Sequence, residues 1–454
     1  MRLDLHRFLG RLDDDPKQGV SGCVRIELRA MKLSRVAMAV IVGTLLPGCA
    51  SSQHRTSPVS SSNSTNTRGT AASREPAANS RFPSGAVLVW GSNDSGQLGT
   101  GGPKSHGIPP TVLSLPGGPV KHIVCGDNVG IAITAGGTAF GWGDNADGQL
   151  NPQAAGQNQP LPTPLPYSGK VKAAAAGHSH TVLLLDNGQV VTLGWDRWGE
   201  LGDGQIGENQ GGSQPGGGPG PVIVRIPSPS SVVAVAATQN ASFALAADGT
   251  VYAWGQGSPG QLGDGGTTDR PTPTKVGLPS GVVIKTLVAG AETVFAQAQD
   301  GSVWAWGDNS TGQTGGGDTV NVVPIPRQLH LPSGGHFVSL TAGGPDVAVL
   351  ENGSVLQWGD FVGADVPGST TPRHVPLPAN AQIRLVAATG ESVLLITESN
   401  KVLGYGYGDS DGVRANGIQA TGYTPTPQPL PALSGAPIAE LCLGGSHGMA
   451  LVSR

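Results

Sequence analysis

The chain has 454 residues, enough for several ordinary domains or one large repeat domain. Its 37% apolar and 13% charged residues exclude a disordered chain, and its 72 glycines follow no three-residue period, which excludes collagen. The formal charge is -4, and no basic stretch after residue 48 resembles a phosphate-binding surface, so nucleic acid is not an expected partner.

Residues 1–48 read as an N-terminal extension plus a signal peptide. Lys32 and Arg35 precede 36–46, an apolar run too short to span a bilayer but suited to export. Leu46-Pro47-Gly48-Cys49 resembles a bacterial lipoprotein processing box. That resemblance implies cleavage before Cys49 and acylation of its thiol, making Cys49 the expected lipidation site. Asp13-Asp14-Asp15 has no role in export, and Met31 makes a better start than Met1. Residues 49–83, rich in Ser, Thr, Asn and Ala with no apolar period, read as a flexible tether.

From residue 84 to the C-terminus the chain repeats at intervals of about 50 residues. One block, Trp-Gly followed by Gly-Gln-Leu-Gly or a near variant of it, begins at Trp90, Trp142, Trp195 (as WDRWGELG), Trp254 and Trp306, with eroded copies at Trp358 and Tyr407. A second series of seven holds a small-residue strand, a glycine and an apolar strand, as in AAGHSHTVLL from residue 175. Between the two lie turn pairs such as Asn187-Gly188 and Asp248-Gly249, the hairpin signal of a type I′ turn. Six hairpins are intact. The seventh is split, with its Trp-Gly strand near residue 85 and its partner near residue 449. Joining the termini completes it. The expected fold is therefore all-β: a single closed seven-bladed β-propeller over 84–454, about four short strands per blade, shut by its N- and C-terminal strands.

These blocks resemble the regulator of chromosome condensation repeat family over 84–454. Blades six and seven depart from its pattern, since Gln-Leu-Gly is missing after Gly359 and Tyr407 replaces Trp. The family resemblance implies a nucleotide exchange factor for a nuclear GTPase that binds chromatin. The leader, the lipid box and the acidic body point instead to an exported bacterial lipoprotein, so a nuclear GTPase is not expected here.

No nucleophile elbow, phosphate loop or zinc motif is read in the sequence. No catalytic, cofactor-binding or metal residue is assigned. His178 and His180, two apart on one strand, suit local hydrogen bonding better than a shared metal. Asp144–Gly148 and Asp409–Gly412 read as capped turns rather than calcium loops, since neither reaches a glutamate at the required distance. Cys125 and Cys442 fall on equivalent strands of neighbouring blades, one position out of step, so they are expected to face apart as buried thiols. Departures from the repeat are the best functional candidates: the Gly-rich stretch 206–220, and Trp198, which stands outside the repeated tryptophans.

The expected function is a non-enzymatic, monomeric cell-envelope lipoprotein. Its propeller face would bind an envelope protein or glycan or act as a scaffold, with the bilayer held through Cys49. Ala50 favours the outer membrane over the inner, facing periplasm or surface. The alternatives are an envelope hydrolase or lyase with its site on the ring face, and a purely structural surface protein.

Overall fold

The computed structural model describes residues 82–453 apart from 208–219, 319, 333–335, 361–367 and 408–422. The chain divides into a unit of residues 1–34, outside the described residues, and one of 35–454. The expected signal segment, Cys49 and nearly all of the tether lie outside the described residues.

The repeats form seven four-stranded antiparallel sheets. Blade two shows why. Its inner strand Val120–Cys125 and second strand Val129–Thr134 meet at a glycine and carry β-branched residues on both faces. All six residues of the second strand are buried, because a blade interior is packed on both sides. The third strand, Ala139–Gly143, follows a Gly-Gly turn. The outer strand, Gln159–Pro164, alternates proline at 160, 162 and 164. Proline cannot donate to a ladder, so it marks an edge and blocks further strand addition. In the turn Ser399-Asn400, the asparagine itself takes positive φ, 60°.

The ring closes as the split hairpin requires. Val87–Gly91 pairs antiparallel with His447–Val452, placing Trp90 opposite Gly448. Blade one therefore contains both ends of the described chain. Its seam with blade two carries several cross-links. Gly445 donates its N–H to the carbonyl of Asp127 at 2.8 Å. The Glu440 carboxylate lies 2.7 Å from His122 Nδ1 and accepts the Ile123 N–H at 2.9 Å.

Cys125 and Cys442 form a disulfide across this seam, with Cα atoms 5.8 Å apart. This corrects the expectation of separate thiols. Adjacent blades stack the front of one sheet on the back of the next. Residues one position out of step on equivalent strands therefore face each other across the interface. The bridge sits in an apolar cluster with Val87, Met449 and Leu451 of blade one and Ile123, Phe140 and Trp142 of blade two.

The repeated tryptophans lock blade to blade. The indole N–H of Trp142 donates to the Gln97 carbonyl, that of Trp254 to Glu200 and that of Trp358 to Gln313. Each acceptor belongs to the loop of the preceding blade. Two glycines make room for this packing. A Cβ on Gly130 would lie 2.4 Å from the Trp142 ring, and one on Gly143 (φ +105°) 2.2 Å from the Asn128 carbonyl.

Two anchors are corrected. In blade three the residue paired at the tryptophan position is Leu193, opposite Thr181, not Trp195. In blade seven it is Tyr405, opposite Val393, not Tyr407. Both slips have one cause. Trp195 and Tyr407 each begin a motif that imitates the repeat two residues too late, and only strand register separates them.

Candidate functional site

Two sets of loops leave the ring on opposite sides. The loops joining inner to second strands and third to outer strands lie together. Asp144 donates its N–H to the Asn128 carbonyl, Trp195 to Ser179 and Gln256 to Asn240, at 2.8–2.9 Å. These form the tip face. On the other side, hairpin turns meet the connections between blades: Asp186 donates to Lys170, Ala247 to Ser231 and Gln299 to Val283. These form the turn face. Tips of successive blades are tied as well, with His178 N–H on the Gln239 carbonyl and Gln239 N–H on Ala291.

The repeated loop has a structural job. In blade two, Asn145 Oδ1 accepts the Leu150 N–H at 2.9 Å, and Gln149 Oε1 accepts the Asp147 N–H at 3.0 Å. Leu150 is buried beneath them. Blade three keeps this geometry with carboxyls in place of both amides. Asp196 Oδ1 accepts the Leu201 N–H at 2.9 Å, and Glu200 Oε2 accepts the Trp198 N–H at 2.8 Å. Burial raises both groups, Asp196 to about 6 and Glu200 to about 8.

The same loop carries an aromatic pair freed from anchor duty. Trp195 and Trp198 are partly exposed, their ring centroids 5.9 Å apart and tilted by 52°. The exposed Arg197 guanidinium stands 4.8 Å from the Trp198 centroid and 5.8 Å from that of Trp195. Trp198 was legible as an outlier. Arg197 and the two carboxyls were not singled out, although WDRWGELG departs from the repeat at all of them. Of the Gly-rich stretch 206–220, residues 208–219 lie outside the described residues.

The histidine pair is split. His178 is 54% exposed at its side chain, and its Nδ1 bonds the Asp127 carboxylate of blade two. That hydrogen bond raises the imidazole, with Asp147 and Asp144 adding to it. His180 is buried over Gly177, and burial pulls it down to about 3. Sequence spacing cannot find the Asp127–His178 pair, because blade stacking brings the two together. Asp144 Oδ1 caps the Ala146 N–H, as a turn does. Asp409–Gly412 lies outside the described residues.

The turn face opens on a cavity of about 840 Å³ bounded by inner strands of blades one, two, five, six and seven. Lys285 and His336 line it together with Asp300, Glu351 and Glu440. Opposite charges are mixed there, with no convergent constellation.

The RCC1-like domain profile matches residues 77–360. The ultraviolet-B receptor UVR8 of Arabidopsis thaliana is 29% identical over 296 residues, which cover 64% of this chain and 64% of that receptor. The chain thus spans less than two thirds of that relative's length. The crystal structure of human WBSCR16 superimposes with a TM-score of 0.69 at 22% identity, covering 81% of this chain and 99% of that one. Yeast RCC1 (Prp20), in its complex with Kap60, gives 0.66 at 19% identity, covering 86% and 97%. Prp20p of Saccharomyces cerevisiae is also described for its binding to Gsp1p and histones.

These likenesses correct the expected identity, location and partners. The relatives named above are eukaryotic proteins, and none of them is an envelope lipoprotein. The assignment to exported bacterial lipoproteins of the cell envelope, with a bilayer and an envelope protein or glycan as partners, is therefore withdrawn. The exclusion of a nuclear GTPase falls with it, since a relative of the same fold is described with Gsp1p, Kap60 and histones. Among the described residues no helix is long and apolar enough to cross a membrane. With its profile match across more than half of its length, the chain belongs to the RCC1-like domain family.

Proposed function

We propose that this chain is a non-enzymatic propeller that holds a protein partner on its tip face. The observation that carries this is the exposed Arg197 stack on Trp195 and Trp198. Tryptophan and arginine are the residues that most often dominate protein interfaces, and here they stand outside the buried packing that occupies the anchor tryptophans. The loops around them are tied to one another by backbone hydrogen bonds, so the face is preorganised. A small GTPase and an importin are the partner classes put first. Support for them is the likeness to the yeast protein described with Kap60 and Gsp1p.

The test is calorimetric titration of the full chain with a purified Ran-like GTPase and, separately, an importin. Saturable binding of either, lost in a Trp195→Ala/Trp198→Ala variant that keeps the wild-type circular dichroism, is the expected result. No saturable binding of either protein to the folded chain overturns the partner classes. Binding unchanged in the variant overturns the choice of face.

A further inference from the structure

The two faces differ in charge. The tip loops carry Asp94, Asp144, Asp147, Asp203, Asp269 and Glu391, all exposed or half-exposed. Among the described residues, the lysines and arginines of these loops are Lys104 and Arg197, with Arg270 at the start of an outer strand already paired to Asp264 at 2.7 Å. On the turn face both signs mix, with Lys121, Lys172 and Lys285 alongside Asp248, Asp300 and Glu351. The topology keeps the two sets apart, because tip and turn residues come from opposite ends of every strand.

We infer that the tip face takes a basic partner, a Lys/Arg-rich extended protein segment whose guanidinium or ammonium groups stack on Trp195 and Trp198 within the surrounding carboxylates. This deepens, and rests on, the reading of the ring as a protein-binding scaffold. Three observations support it. The indoles already hold a guanidinium, that of Arg197, so their geometry suits a planar cation. Arg197 makes no ion pair among the described residues, so it is held by the rings rather than by a carboxylate. The field beside the pair is negative: Asp127, Asp147 and Asp144 of blade two together favour the charged form of His178, and Ser179 next to it accepts the Trp195 N–H at 2.9 Å. An acidic partner would meet these carboxylates at close range, a repulsion that selects against it.

The experiment uses the full chain and a short fluorescent, unstructured peptide of Arg, Lys, Gly and Ser, with a Glu-for-Lys/Arg version as comparison. Fluorescence anisotropy should show saturable binding of the basic peptide only, weakening steeply with added salt. Asp144→Asn/Asp147→Asn/Asp203→Asn should weaken it at least about tenfold, a loss of about 1.4 kcal/mol. Trp195→Ala/Trp198→Ala should do the same, and Trp195→Phe/Trp198→Phe should recover part of the loss. Lys121→Gln/Lys285→Gln on the turn face should leave it unchanged. The inference is overturned if the acidic peptide binds as well, if neither tip-face variant weakens binding, or if the folded chain binds neither peptide. A GTPase or importin that binds the tip face with no dependence on these carboxylates also overturns it, yet leaves the scaffold reading standing.

Discussion

The indole N–H of Trp306 donates to the backbone carbonyl of Gln261, 45 residues earlier and one blade back, at 2.8 Å. Both partners are fully buried. One side chain thus fills the gap between two sheets and satisfies a loop carbonyl that no strand reaches. Trp306→Phe keeps most of the volume but orphans that carbonyl, which costs about 1–3 kcal/mol. Trp306→Ala adds a cavity and should cost about 3–5 kcal/mol. Chemical denaturation of the two variants should rank them in that order. A Phe variant as stable as the wild type would show that the hydrogen bond contributes nothing.

The Cys125–Cys442 disulfide joins residues 317 apart across the seam between blades one and two. It fastens the C-terminal hairpin of blade one to blade two, leaving Val87–Gly91 to complete the blade without a covalent link to that hairpin. Cys125→Ser/Cys442→Ser, or reduction, should lower the melting temperature, with a stability loss of about 2–4 kcal/mol typical of native bridges. Mass spectrometry of the alkylated, unreduced chain checks the premise. Two freely alkylated thiols at 125 and 442 would remove it.

Glu200 occupies the buried slot that glutamine fills in other blades, and burial lifts it to about 8. Between its ordinary value of 4.5 and about 8, the unfolded chain releases this proton while the folded chain keeps it. Stability should therefore fall as pH rises through that window and level off above it. Glu200→Gln should flatten the fall and stabilise the protein by at least about 1 kcal/mol at pH 8, since a tenfold change in proton affinity corresponds to about 1.4 kcal/mol. Unfolding midpoints of both proteins from pH 5 to 9 give the measurement. A wild-type curve that rises through this window contradicts the assignment.

His178 is held above the ordinary imidazole range, chiefly by its hydrogen bond to Asp127. A raised histidine stabilises the fold below its unfolded value of about 6.5, and that contribution fades as pH rises through the folded value. Asp127→Asn should bring the His178 titration down, as followed by NMR of the ring protons. An unchanged midpoint would mean that the pair does not form in solution.

The fold was legible because its signals are periodic. Turn pairs such as Asn187-Gly188 and the recurring Trp-Gly mark most blades, and a split hairpin can be closed only by a ring. The misplaced anchors lie where strand register decides. Trp195 and Leu193 differ by two positions, and only the pairing of Leu193 with Thr181 tells which one is the anchor. The disulfide is not legible along the chain, because facing within one sheet does not carry over to two stacked sheets. The site was legible only in part. Trp198 stood out as an extra tryptophan, whereas Asp127 and His178 meet through blade stacking, which spacing along the chain does not encode. Leader-like residues before Cys49 misdirected the class of protein, and the relatives corrected it.

Hydrogen–deuterium exchange of the chain with and without a bound protein partner tests the central claim most directly. The account predicts slowed exchange in the tip loops around residues 126–128, 177–179 and 195–202, and unchanged exchange in the turns around 186–188, 248–250 and 300–302. Protection confined to the turns, with the tip loops unaffected, would contradict it.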